Sequence, residues 1–600
     1  MKFYTVIFFS SVIIVNSQNP RVSSKIGEIV GNEIILPVDL PYKTVHQYLG
    51  IPFAKPPVGD LRFRKPEPTT SLTSPFYAQK FSAICPQRPI FETTLKDPQD
   101  EDCLYLNVYV PEREPEIPDG HAVLIWVYGG GFQEGTANTY DFSLMSVAGN
   151  IIVVTFNYRV GVFGFLSTGD ENARGNYGLW DQHMAFQWVH DNIGDFGGNI
   201  ERVTIAGESA GAMSVIQHAL VPANKGLFQR VIAQSGSMSM PAMDLGKDSS
   251  KDVHTLAESV GCKTDNIADV IECLRVTKVD ELLAQPVMFN PVFDGELIKI
   301  NTRDITKIAK TRSLEEVEFF RSLDILSGFN ANEGVSVLPW IMSMLPKEMQ
   351  VSQLEDFSFD HFRWTDDIVP AVMNFSFLKH FSKEILQLVD AQYRSWSSPY
   401  DQHLLRLQFE KLVGDLTYAI PAIEMARLHA MSSSSSENNF MYHFLPKPSI
   451  RAQPTPSWIS GAGHADELMF MLGAFDMLGV GEENAWENDL MTKMMTYWTN
   501  FVKSGNPNFP QPIKPAWHEY NIAGGSYQIL NATMPSDMPG PRYFYAEETN
   551  FWLHVFPDLV DAVHGKGGDC GDGTWTSAAN NLSLHWAVPF VLSIFLCIIS

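Results

Sequence analysis

Short apolar runs of strand length punctuate this chain, and between them apolar positions recur at helical spacing. Residues 122–128 (AVLIWVY), 202–206 (RVTIA), 323–329 (LDILSGF) and 440–444 (FMYHF) each read as one strand. Runs this short and this apolar suit strands covered on both faces. Residues 178–192 and 211–220 place apolar positions one helical turn apart, and 468–472 begins another apolar helical run. Strands alternating with helices predict an α/β fold: a large, mostly parallel, twisted central sheet with helices on both faces.

The two ends carry different patterns. Residues 4–15 are apolar behind Lys2, and Val15-Asn16-Ser17 offers a small-residue cleavage site, so 1–17 reads as a secretory signal peptide. That run is too short for a transmembrane anchor. Residues 586–600 (WAVPFVLSIFLCIIS) are apolar to the last residue, with no Lys or Arg after them. Ser577-Ala578-Ala579 and a polar spacer precede this tail. That is the pattern of a GPI-attachment signal, with Ser577 as the attachment residue and Gly571 or Gly573 as alternatives. A buried C-terminal helix is the competing account, and it suits the polar spacer badly. The chain therefore divides into a signal peptide (1–17), a large α/β domain (18–560), a Gly-rich stalk (561–579) and a hydrophobic propeptide (580–600).

Composition narrows the function. With 600 residues, 45% of them apolar, the chain can bury a large core. No repeat or linker splits 18–560, and only the serine run 432–436 is low in complexity. Against 68 acidic residues stand 43 basic ones, a formal charge of −25. That argues against a nucleic-acid partner and against electrostatic docking on anionic membranes. Export permits disulfides among the six cysteines. Asn374, Asn531 and Asn581 each begin a glycosylation sequon.

Three signals in one order carry candidate chemistry. Gly207-Glu208-Ser209-Ala210-Gly211 lies between a strand run and a helical run. A strand that turns into a helix this tightly strains the serine backbone and demands small neighbours. The turn lifts the Ser209 hydroxyl clear of the sheet. Upstream, Gly129-Gly130-Gly131 follows a strand, and side-chain-free residues let amides approach a substrate oxygen. The expected oxyanion donors are the amides of Gly130, Gly131 and Ala210. Downstream come Glu333, in a loop ending a strand, and His464, in a Gly-rich loop. Serine, acid and histidine in this order form the triad of an α/β-hydrolase. His464 would take the Ser209 proton, and Glu333 would orient the imidazole. There is no H-E-x-x-H and no clustered Cys/His spacing, so no metal or organic cofactor is expected.

Several further motifs resemble one family. They include Tyr48-Leu49-Gly50-Ile51-Pro52, Glu101-Asp102-Cys103-Leu104-Tyr105-Leu106-Asn107-Val108 and Asn157-Tyr158-Arg159-Val160-Gly161. Gly175-Asn176-Tyr177-Gly178-Leu179 with Asp181-Gln182, Phe196-Gly197-Gly198-Asn199, Pro291-Val292-Phe293-Asp294-Gly295 and Tyr497-Trp498-Thr499-Asn500-Phe501 continue the match. Over residues 20–560 the chain resembles the type-B carboxylesterase/lipase family. That family includes cholinesterases, bile-salt-activated lipase and the inactive adhesion proteins called neuroligins. Residues 164–189 and 458–468 look most like bile-salt-activated lipase. The resemblance implies the triad Ser209, Glu333 and His464. With proximity in sequence, it also implies the pairs Cys85–Cys103 and Cys262–Cys273, which leave Cys570 over once Cys597 departs with the tail.

Two function classes follow. The first is a serine hydrolase of neutral aryl, alkyl or lipid esters acting through an acyl-enzyme. Its partners would be a small-molecule or lipid ester substrate, a membrane reached through the GPI anchor, and a second copy bridged at Cys570. A choline esterase is the lesser variant. Thr93, Ala242, Gln285 and Val287 stand where a choline site and a narrow acyl pocket would need aromatic rings. Tyr128, shared with cholinesterases, does not restore that site. The second class is a non-catalytic, neuroligin-like surface binding protein. Such relatives typically lack the nucleophile, which this chain keeps.

Overall fold

The computed structural model describes residues 19–563, apart from 70, 90–96, 238–248, 263–265, 301, 376–380, 432–436, 476–484 and 535–540. Ten strands form the main sheet. In chain order they are β1 (Asn32–Ile35), β2 (Thr44–Pro52), β3 (Tyr105–Pro111), β4 (His121–Val127), β5 (Ile152–Phe156), β6 (Gly198–Glu208), β7 (Arg230–Gln234), β8 (Asp324–Asn330), β9 (Asn439–Phe444) and β10 (Gln528–Leu530). In space the order is β10, β9, β8, β7, β6, β4, β5, β3, β2, β1. Every pair from β10 to β5 is parallel, and the three pairs that join β5, β3, β2 and β1 are antiparallel. The expected mostly parallel α/β sheet of the α/β-hydrolase fold is present. A separate three-stranded sheet holds Arg21–Ser24, Gly27–Val30 and Phe76–Tyr77.

Both faces of the parallel strands are covered, which is why those strands read as unbroken apolar runs. All seven residues of β4 are buried. Val123, Ile125 and Val127 enter one core cluster, with Val203, Ile205 and Phe186. Leu124 and Trp126 enter the other, with Ile232, Leu326 and Trp498. The helices expected at 178–192 and 211–220 are α1 (Tyr177–Asn192) and α2 (Ala210–Ala219). The apolar run at 468 forms only the short helix Leu468–Met471. Strand β6 runs longer than the five residues its apolar core suggests, because its polar start pairs back to His121 across a register shift.

Cys85 is bridged to Cys103 and Cys262 to Cys273, with Cα separations of 5.0 and 5.9 Å. Asn374 is exposed at the end of the helix Val369–Phe375, whereas Asn531 is half-buried and accepts from the Ala532 amide at 2.8 Å. Residues 1–17, Thr93, Ala242, Cys570, Ser577, Asn581 and the apolar tail fall outside the described residues. Among the described residues no helix is long and apolar enough to cross a membrane. The chain divides into two compact units after Leu553, and the second contains the helix Phe556–Val563.

Candidate functional site

The candidate groups all follow the carboxyl ends of parallel strands, where open α/β sheets collect their chemistry. The glycine run follows β4, Ser209 follows β6, Glu333 follows β8, and the loop bearing His464 follows β9. Ser209 has φ 58° and ψ −124°, the strained geometry expected of the turn. Its amide donates to Gln234 O at 2.9 Å, and its carbonyl accepts the first bond of α2, from Met213 N at 3.0 Å. The small neighbours are obligatory. A Cβ on Gly211 would lie 2.0 Å from Val127 O, and one on Gly207 would meet Gly211 C at 2.5 Å. The same closeness brings the glycine run onto the turn, where a Cβ on Gly129 would meet the Ser209 Cβ at 2.9 Å. Gly130 and Gly131 have φ of 109° and 60°, and Gln133 N and Glu134 N both donate to Gly130 O.

Glu333 and His464 are brought together. His464 Nδ1 donates to Glu333 Oε2 at 2.6 Å. The other carboxylate oxygen, Oε1, accepts from Ser235 Oγ at 2.5 Å and from Asn330 N at 2.6 Å. The Tyr418 ring lies 4.5 Å from the imidazole, between centroids. The face towards Ser209 differs from expectation. His464 Nε2 lies 3.1 Å from Glu208 Oε1, and no hydrogen bond joins it to Ser209 Oγ. That contact is an ion pair without hydrogen-bond alignment, since Glu208 Oε1 is a buried oxygen with no hydrogen-bond partner.

Sequence reasoning missed the carboxylates around the imidazole. Glu467 is fully buried, accepts from Gln234 Nε2 at 3.1 Å and from Asn330 Nδ2 at 2.5 Å, and Trp498 Nε1 holds Gln234 in place. Glu410 accepts from Asn332 Nδ2 and Gly334 N at 2.8 and 2.9 Å. Glu208 and Glu467 lie inside the quoted motifs, one residue before Ser209 and three after His464. That was the available signal, because a carboxylate that close in sequence to a buried site must find a partner. Burial drives the titrations. It lifts Glu467 to about 7 and Glu410 to about 8, and it moves Glu208 upward as well. Burial alone would lower His464, but the negative fields of Glu208 and Glu333 outweigh it and raise the imidazole above its ordinary value.

Two cavities stand out among the described residues. One is lined by Glu333 itself with Asn330, Glu410, Lys411, Asp415 and Tyr545, and the other by residues at the far end of α2. Neither is lined by Ser209 or His464. Gln285 and Val287 are both partly exposed. Among the described residues no group of three or more His, Cys, Asp or Glu side chains could hold a metal ion.

Residues 18–552 match the carboxylesterase family. Mouse (Mus musculus) neuroligin-3 is 32% identical over 622 residues, covering 92% of this chain and 71% of that protein. Rat (Rattus norvegicus) neuroligin-3 is 31% identical over 642 residues, covering 92% and 72%. Human (Homo sapiens) neuroligin-2 is 32% identical over 610 residues, covering 90% and 68%. The chain belongs to the carboxylesterase family.

The expectation of a carboxylic ester hydrolase is corrected by these findings. The relatives reported above are neuroligins, the inactive branch named in the sequence analysis. The expected partners are corrected on the same finding, as regards the ester substrate and the GPI-held membrane contact.

Proposed function

We propose that this member of the carboxylesterase family works as a cell-surface binding protein whose ligand is another protein. The observation that carries this reading is similarity to neuroligins across 92% of the chain. A segment that long leaves no room for a match confined to the fold's core. The geometry at His464 supports it, because its Nε2 faces Glu208 and a binding role requires no hydrogen bond from that nitrogen to Ser209. The two disulfides suit an oxidising, extracellular setting.

The test separates binding from hydrolysis. Cells displaying the chain should adhere to a second cell population, and trypsin treatment of that second population should abolish adhesion. Ser209→Ala should adhere as wild type does. Turnover of p-nitrophenyl butyrate that disappears in Ser209→Ala, in a protein that supports no adhesion, would overturn the reading.

A further inference from the structure

Folding buries apolar surface, so aromatic rings gathered together in water mark a place that folding did not use. Three such rings gather where the helical turns His361–Arg363 and Trp364–Ile368 meet the loop 394–401. Phe362 and Tyr400 are each 72% exposed, and Trp396 is 66% exposed. The His361 ring joins two of them, at 3.8 Å from Phe362 and 4.5 Å from Tyr400 between centroids. The loop is fastened at its other end too, where Arg394 Nη2 donates to Thr365 Oγ1 at 2.7 Å. Trp396 lies between these two fastenings in the chain, with the Arg394 guanidinium 5.3 Å from its ring.

The rings stand on a firm base. Phe357, Phe359, Trp364 and Phe409 are buried against one another within the same segments, and Phe359 stacks on Trp364 at 5.9 Å. Asp360 and Asp401 cap the two helical starts, accepting from Phe362 N at 3.0 Å and from His403 N at 2.9 Å. Side chains held on a fixed base lose little freedom when a partner arrives.

Charge decides what the rings accept. Asp360 precedes His361, Asp401 follows Tyr400 and Asp366 stands four residues on from Phe362, and all three are exposed. The arginines of this surface are already paired: Arg363 with Asp367 at 2.9 Å and Glu348 at 3.3 Å, and Arg394 with Asp390 at 2.5 Å. An aromatic face is itself negative at its centre. Rings and carboxylates therefore select the same thing, a cation. A guanidinium fits better than an ammonium, because it is planar and weakly hydrated and stacks on rings, as Arg394 does on Trp396.

We propose that the surface of His361, Phe362, Trp396 and Tyr400 docks an arginine-bearing segment of a partner protein. This rests on the proposed function and names the chemistry of the partner: guanidinium groups lie on the ring faces, and the exposed aspartates set the sign of the charge.

Fluorescein-labelled Gly-Arg-Gly-Arg-Gly-Arg, its lysine counterpart and its glutamate counterpart, titrated with the full chain at about 0.15 M salt and read by anisotropy, test the surface directly. The arginine peptide should bind at least about threefold tighter than the lysine peptide, and the glutamate peptide should not bind. The double variant Trp396→Ala, Tyr400→Ala keeps every charge, and circular dichroism checks its fold. It should weaken the arginine peptide about tenfold, equivalent to about 1.4 kcal/mol. Ser209→Ala should bind as wild type does. Equal binding of the arginine and lysine peptides, or unchanged binding in the double variant, would overturn the proposal. So would a wild-type dimer in sedimentation that the double variant dissociates, because a second copy would then cover the rings. In the adhesion assay the double variant should lose adhesion. Adhesion that it retains would overturn this surface and leave the proposed function standing, whereas a wild type that does not adhere would overturn the proposed function and leave the peptides to decide the surface.

Discussion

Two buried charge clusters in this molecule contrast sharply. In the first, Arg159 and Asp181 face one another one to one. Asp181 accepts from Arg159 N at 3.0 Å, from Nε at 2.8 Å and from Nη2 at 2.7 Å, and the Tyr177 ring lies 5.6 Å from the guanidinium. In the second, the imidazole of His464 faces three carboxyl groups, those of Glu208, Glu333 and Glu467, and one oxygen of Glu208 has no hydrogen bond at all. Burial is nearly complete in both. What differs is the balance of charge. A matched, hydrogen-bonded pair fixes a fold, while a mismatched cluster favours protonation of its carboxyls.

The sharpest break of this comparison is Asp181→Ala. It strands the Arg159 guanidinium in the core and should cost about 3–5 kcal/mol, read from urea unfolding. A loss below about 1 kcal/mol would remove the distinction between the clusters. In the second cluster Glu208→Gln should do the reverse. It removes a charge that burial opposes, so stability at pH 8 should rise by about 1–2 kcal/mol. A large loss there would show that the His464–Glu208 contact holds the fold.

The pH dependence sharpens the same point. Glu208, Glu410 and Glu467 have folded values above their ordinary 4.5, and His464 lies above its ordinary 6.5. A group raised on folding contributes stability below its unfolded value and loses it as pH rises through the folded one. Tm should therefore decline as pH climbs from about 4.5 to about 8, with the slope reduced in Glu208→Gln. A Tm that rises across that window would place other groups in control. The smallest expected effect is at the strained turn itself. Ser209→Gly should stabilise by about 0.5–1 kcal/mol, because glycine reaches φ 58° without penalty, and Ser209→Ala should change stability by under about 0.5 kcal/mol.

The sheet and the pieces of the site were legible for different reasons. Strands β4 and β8 were plain in the sequence because both their faces are buried, so apolar residues run on without alternation. The turn at Ser209 was plain because steric closeness leaves glycine as the only residue that fits at 207 and 211. The carboxylate cluster was not plain. Glu208, Glu333 and Glu467 come from three distant segments, and only the fold decides that they share one imidazole. A motif states which residues stand in line. The balance of fields around them, which decides whether His464 is a base, belongs to three dimensions.

The sheet's two outermost strands constrain how this chain meets others. Strand β10 is three residues long and β1 four. An exposed sheet edge is a template on which another chain can continue the ladder, and edges this brief offer few free amides and carbonyls for that purpose. Copies of the chain are thereby kept from zipping together through these two edges. Recognition is left to side-chain surfaces, where sequence, rather than the generic geometry of the peptide bond, decides what is accepted.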